Sequence, residues 1–274
     1  MEEDPPKKDD KVEVDDEPVK KDPVPPLEAA ARRLERLLGG GLSDNELHFL
    51  THSNPAKVVR RWLGTSSGAA AEATASDIAS AARKLLDPKG PCAGGREILL
   101  SGLDEAMDVD SQKEETVSFL TMASCREVES WLISLSVRLL RNESKLQEAF
   151  ELAQKGISIL LGHLESASTN LTSLSGVSTS SLFPCLARTY RYRSLVAEDL
   201  SDEKTTASLR QDLVKAHNLS CLRRDVDCQA TLLNLMLRDF LLNSQSKFSD
   251  DGASGSSLQI EMLNCSSRRL SVEK

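Results

Sequence analysis

Residues 221–240 read CLRRDVDCQATLLNLMLRDF, a charged turn that runs directly into a leucine-rich helix. Asp227, Thr231, Asn234 and Arg238 fall at i, i+4, i+7 and i+11, which at about 100° per residue is one narrow polar stripe. The rest of the circumference is mainly apolar. Val226, Leu232, Leu233, Leu235, Met236, Leu237, Phe240, Leu241 and Leu242 cannot all enter one shallow groove, so the helix is expected to pack on two sides as an inner helix of a stack. Leu232, Leu233, Met236, Leu237 and Phe240 are the expected core, and Asp227, Thr231, Asn234 and Arg238 the stripe that faces solvent or a partner. At about 1.5–3 kcal/mol per fully buried large apolar side chain, tertiary packing rather than intrinsic preference holds such a segment together.

The same kind of pattern recurs upstream. Helical periods run from about Val117 to Leu140 and from Ser144 to Glu165; in the second, Leu146, Ala149, Phe150, Ala153, Ile157, Leu160, Leu161 and Leu164 form one stripe. Leu152 and Ile159 lie on another face, which again predicts two-sided packing and suits a solenoid of helical hairpins. A serine-rich loop, SASTNLTSLSGVSTSS, separates this helix from LFPCLARTYRYRSLVAEDL, with Pro184 in its first turn, and DEKTTASLRQDLVKAHNLSCL follows as another helix.

Closer to the start, LEAAARRLERLL is an amphipathic helix stopped by Gly39, Gly40 and Gly41, and Ser43 with Glu46 forms a capping box for SDNELHFLTHS. NPAKVVRRWLG carries proline at a helix start, a Gly/Ala/Ser-rich loop comes next, TASDIASAARKLLD is helical up to Pro88, and a last short helix covers REILLSGLDEAM. The expected organisation is a disordered acidic, proline-rich arm over 1–25, short helices over 26–106, an acidic linker over 107–115, a helical-repeat solenoid over 116–243 and a flexible tail over 244–274.

Composition supports an all-α protein. Aromatic residues make up only 4% of the 274, and few runs of β-branched residues alternate at period two. With 34 basic against 42 acidic residues, a nucleic-acid surface would have to be a local patch working against the overall field. The opening MEEDPPKKDDKVEVDDEPVKKDPVPP lacks an apolar core, and no later stretch is long and apolar enough to span a bilayer, so a soluble intracellular chain without membrane contact is expected. The six cysteines are scattered without a CxxC pair or a flanking histidine at zinc spacing, and read as reduced thiols.

Motifs that could carry chemistry are incomplete. GPCAGGRE (90–97) spaces Gly90 and Gly95 as a phosphate loop does, but Arg96 and Glu97 stand where Lys and Ser or Thr are required; it reads as a helix-to-helix loop. His48 and His52 share a helical face without the glutamate or third ligand of a zinc protease. Between Asp104 and Glu115, Ala106 and Val109 replace a ligand and the turn glycine of a calcium loop. ARTYRYR (187–193) interleaves Arg188, Arg191 and Arg193 with Tyr190 and Tyr192, yet the tyrosines sit about 200° apart on a helix and cannot form one stacking platform; the segment reads as interhelical packing with salt bridges. GASGS (252–256) lacks nucleophile-elbow spacing. No catalytic, cofactor or metal site is expected.

LRRDVDCQATLLNLMLRDFLLNSQ (222–245) resembles the helical-repeat region of the non-ATPase regulatory subunit three family of the 26S proteasome lid, which carries a similar LRxDxxxQxTLLNLxLRxxL signature. SWLISLSVRLLRNESKLQEAFELAQKGISILL resembles that family's first clear helical hairpin, TYRYRSLVAEDL its Tyr-rich helix, and MDVD an acidic element before its repeats. The resemblance covers roughly 116–245, is weak over 27–110 and is not seen beyond. It implies a tetratricopeptide-like solenoid that in relatives continues into a PCI module; this sequence stops short of that module, and its tail from about Gln245 stands where the next repeat is expected. It further implies a non-catalytic scaffold subunit of the regulatory particle lid, supporting ubiquitin-dependent degradation through contacts with other lid subunits in cytoplasm and nucleus, with no cofactor. A stand-alone helical-repeat adaptor, or an RNA-binding helical protein using residues 188–193, are the alternatives.

Overall fold

A computed structural model describes residues 24–39, 54–103, 118–122, 124–169 and 179–247. These form ten α-helices and one short 3-10 turn, with no strand among them. Helix α1 spans Pro26–Gly39, α2 Pro55–Thr65, α3 Ser67–Ala71, α4 Ala75–Leu85, α5 Ala93–Leu103, α6 Cys125–Asn142, α7 Leu146–Thr169, α8 Phe183–Leu200, α9 Glu203–Leu222 and α10 Val226–Lys247; the 3-10 turn covers Thr179–Leu182. The all-α, tetratricopeptide-like architecture read from the sequence is the one observed. The arm, the Ser43 capping box, His48 and His52, the acidic linker and the residues after Lys247 lie outside the described residues.

Local chemistry starts the helices where it should. The Asn54 side chain accepts from the Ala56 N–H ahead of Pro55, Thr74 and Asp77 make a reciprocal capping box at α4, and Asp202 accepts from the Thr205 N–H at α9. Two of the hairpin turns share one geometry. Ser144, between α6 and α7, has φ 63°; its N–H donates to the Arg141 carbonyl and that of Lys145 to the Leu140 carbonyl. The same pattern recurs between α9 and α10, where Arg224 (φ 56°) donates to the Cys221 carbonyl and Asp225 to that of Ser220. Both are Schellman closures that satisfy the last carbonyls of a helix and turn the chain back in three residues. This repetition is what makes a stack of hairpins regular.

Helix α6 is the inner helix of the stack: Cys125 and Glu127 through Val137 are all buried. The sequence reading gave that place to α10, which instead lies at the edge of the described stack, packed on α8 and α9. The physical reason is serine. Ser134 and Ser136 lie in α6 and break up its apolar pattern, yet each hydroxyl donates to its own helix, to the Trp131 and Leu132 carbonyls at 2.7 and 3.0 Å, and can be buried at little cost. Close approach of α7 is permitted by Gly156, where a Cβ would meet Ile133 Cγ2 at 2.6 Å.

The first five helices share one hydrophobic core with the hairpins rather than sitting apart from them. Trp62 of α2 meets Trp131 of α6, and its indole N–H donates to the Ala30 carbonyl of α1 at 2.8 Å. Three local expectations are corrected. The helix expected from Val117 begins at Cys125, because Leu120 is extended, with its N–H on the Leu85 carbonyl (2.9 Å) and the next, that of Thr121, on Glu35 Oε1 (2.8 Å). The Gly/Ala/Ser loop contains α3, whose Ala70 is buried and accepts from Arg138. Residues 93–97, read as loop, open α5. At the other end α10 runs to Lys247, past the expected boundary at 243.

Candidate protein-interaction surface

Helix α10 presents two faces. Cys228, Leu232, Leu233, Leu235, Met236 and Asp239 are buried against α8 and α9, while Asp227, Asn234 and Arg238 are exposed and Thr231 is half-buried. Of the residues expected in the core, Leu237 and Phe240 are half-buried and pack against its edge. Leu241 and Leu242 follow the polar stripe at 62% and 46% exposure, so the outward face of α10 ends in apolar surface.

The polar stripe is partly engaged within the chain. Asp227 pairs with Arg60 of α2, and Arg238 makes a two-pronged contact with Glu198 of α8, Nε to Oε1 at 2.7 Å and Nη2 to Oε2 at 2.9 Å. Thr231 Oγ1 donates to the Asp227 carbonyl of its own helix. Beside Glu198, Asp199 accepts from Arg141 of α6, so consecutive carboxylates of α8 tie both neighbouring hairpins along one exposed edge. Such surface pairs contribute about 0–1 kcal/mol each and set geometry more than stability.

Charged residues also lie inside, and the interhelical salt bridge expected of residues 187–193 is made by Arg193. Arg193 is 1% exposed, donates from Nη1 to Asp212 Oδ2 at 2.8 Å, and holds its guanidinium 4.9 Å from the centre of the Phe150 ring. Arg210 pairs with the buried Asp239. Asp239 could have been found from its place among the apolar positions of α10, away from the polar stripe. The ARTYRYR segment is correspondingly divided: Tyr190 is buried, with its hydroxyl on the Asp212 carbonyl, and burial pushes its pKa up; Arg188 donates to the Leu63 carbonyl, and Arg191 is exposed.

A groove of about 340 Å³ opens between α4, α5, α6 and α7, with Ile98, Leu139 and Leu152 on its apolar floor and Lys145, Glu148 and Lys155 among its charged rim residues. Its charges are of both signs, three glutamates and two lysines, which suits contact with a mixed polypeptide surface. The residue types that could hold a metal meet elsewhere, where Cys92, Glu129 and His163 come together in the interior.

A family model described as PSMD3-like, N-terminal TPR repeats, matches residues 96–257. The chain belongs to this family. The match runs from α5 through α10, so the PSMD3-like repeat region takes in one of the helices ahead of the acidic stretch, and it continues past Gln245, where the resemblance had been read as ending. No curated protein and no solved structure matches the chain. No described helix of this PSMD3-like chain is long and apolar enough to cross a membrane.

Proposed function

We propose that the chain acts as a non-catalytic scaffold within the lid of the proteasome regulatory particle, supporting ubiquitin-dependent protein degradation through contacts with other lid subunits in cytoplasm and nucleus. The observation that carries this reading is the PSMD3-like repeat match laid over a stack of helical hairpins. Stacked hairpins expose long surfaces, and each added hairpin must bury the apolar edge of the one before. Leu241 and Leu242, exposed beside Asn234 and Arg238, make the outward face of α10 the surface on which a neighbouring subunit would pack. An RNA-binding role finds little support, because Tyr190 and Arg193, two of the five aromatic and basic residues it would use, are buried.

The test is affinity capture of the tagged 274-residue chain from its own cells at modest salt, followed by native electrophoresis and mass spectrometry. Lid subunits are expected at near-stoichiometric levels, and Leu241→Asp combined with Leu242→Asp is expected to deplete them while leaving the chain folded. A chain recovered alone, or with chaperones only, rejects the scaffold role.

A further inference from the structure

We propose that Cys92, Glu129 and His163, with Cys125 as a fourth donor, form a buried structural zinc site that fastens the N-terminal helices to the first hairpin of the repeat region. The Cys92 Sγ, a Glu129 carboxylate oxygen and a His163 ring nitrogen all lie within 4.8 Å of one another. Cys92 precedes α5, Glu129 is in α6 and His163 in α7, so the donors come from three separate segments. Cys125 is buried one turn before Glu129 on the same helix, α6, which places a second thiol beside the cluster. Two thiols, an imidazole and a carboxylate are a donor set that zinc accepts, at about 2.3 Å to sulfur and about 2.0–2.2 Å to nitrogen and oxygen.

The state of Glu129 sets this cluster apart from an ordinary ion pair. Its side chain is 1% exposed. Oε2 lies 2.8 Å from His163 Nε2, but Oε1 is buried with no hydrogen-bond partner. A lone acceptor on a buried carboxylate costs several kcal/mol, of the order of a lost charge-assisted hydrogen bond or more, and a cation relieves it. Gly95 of α5 leaves room for that oxygen: a Cβ there would stand 1.9 Å from Oε1. A tetrahedral zinc would draw Cys92, Glu129 and His163 from within 4.8 Å to separations of about 3.3–3.8 Å, a contraction that rotamer adjustment supplies, and Cys125 would turn in to complete the set. The rigid α6 backbone supplies Cys125 and Glu129 at i, i+4 on one face.

The experiment uses the full chain purified without chelator from zinc-supplemented medium, its metal counted by mass spectrometry and, after exchange, its cobalt form recorded by absorption. About one zinc per chain is expected, with a thiolate-to-cobalt charge-transfer band and a melting temperature lowered by chelation. Cys92→Ser and Glu129→Gln should each reduce bound metal at least about fivefold, and Glu129→Gln, nearly identical in volume, guards against loss of fold in the first. Cys221→Ser, outside the cluster, should retain the metal. A wild-type chain carrying no zinc and gaining no cobalt band overturns the proposal and leaves a Glu129–His163 ion pair; so does metal that survives in both Cys92→Ser and Glu129→Gln.

Discussion

Trp62 and Trp131, the two tryptophans of the chain, pack edge to face with ring centroids 4.9 Å apart and planes inclined at 61°. One belongs to α2 and the other to α6, so this pair joins the N-terminal helices to the repeat stack at its most buried helix. Trp62→Ala is expected to destabilise the chain by about 3–5 kcal/mol, the range for removing a buried aromatic from a core. The check is urea unfolding followed by fluorescence. A loss below about 1 kcal/mol would mean that the two sets of helices do not share a core.

Arg193 and Asp212 make an unequal pair. Asp212→Ala leaves a buried guanidinium without its carboxylate and is expected to cost about 3–5 kcal/mol, whereas Arg193→Met, which keeps packing against Phe150, should cost clearly less. Denaturant midpoints of the two variants decide the order, and equal losses would contradict it.

Arg224 adopts a left-handed conformation that costs a non-glycine residue about 1–2 kcal/mol. Its closure is made by backbone groups alone. Arg224→Gly should therefore stabilise the chain by up to about 1 kcal/mol after allowing for the greater freedom of glycine in the unfolded state. Thermal melts should show a rise; a fall would mean that the arginine side chain holds the turn.

Burial pushes the Glu35 carboxyl up, but the Thr121 N–H and Arg32 outweigh it and hold the group below its ordinary value of 4.5. A folded-state value depressed below the unfolded one contributes stability that is present above the ordinary value and lost as pH falls through the folded one. The wild type should therefore lose melting temperature more steeply than Glu35→Gln on acidification below about pH 4.5, the carboxylate range. Parallel curves would show that the Glu35–Thr121 contact is not formed in solution.

Leu232→Ala, at a fully buried position on α10, should cost about 2–5 kcal/mol, while Asn234→Ala on the exposed face should change stability by less than about 0.5 kcal/mol. Chemical denaturation of both variants measures the contrast. Comparable effects would reverse the two faces assigned to α10.

Most helices were legible because their signals are local. Proline beside Asn54, the Thr74–Asp77 box, and the apolar stripe of α7 each act over one or two turns. The rank of the helices within the stack was not. α10 looks more apolar than α6, yet it lies at the edge, because burial of α6 depends on serines that bond to their own helix and on Glu127 and Glu129, whose partners Ser181 and His163 come from distant segments. The tyrosine and arginine segment was legible as interhelical packing with salt bridges, but not its partners: Asp212 and Phe150, which surround Arg193, arrive from α9 and α7.

The sequence by itself determined the fold class and the place of most helices, since each rests on backbone preferences and side-chain periods within about twenty residues. Only the tertiary structure decided which helix is central, that the N-terminal helices join the same core, and that Cys92, Glu129 and His163 meet. Their positions in the chain share no metal-binding spacing. They converge because α5, α6 and α7 pack together, and packing between segments distant in sequence is set by the shape of the assembled core, which no local pattern records.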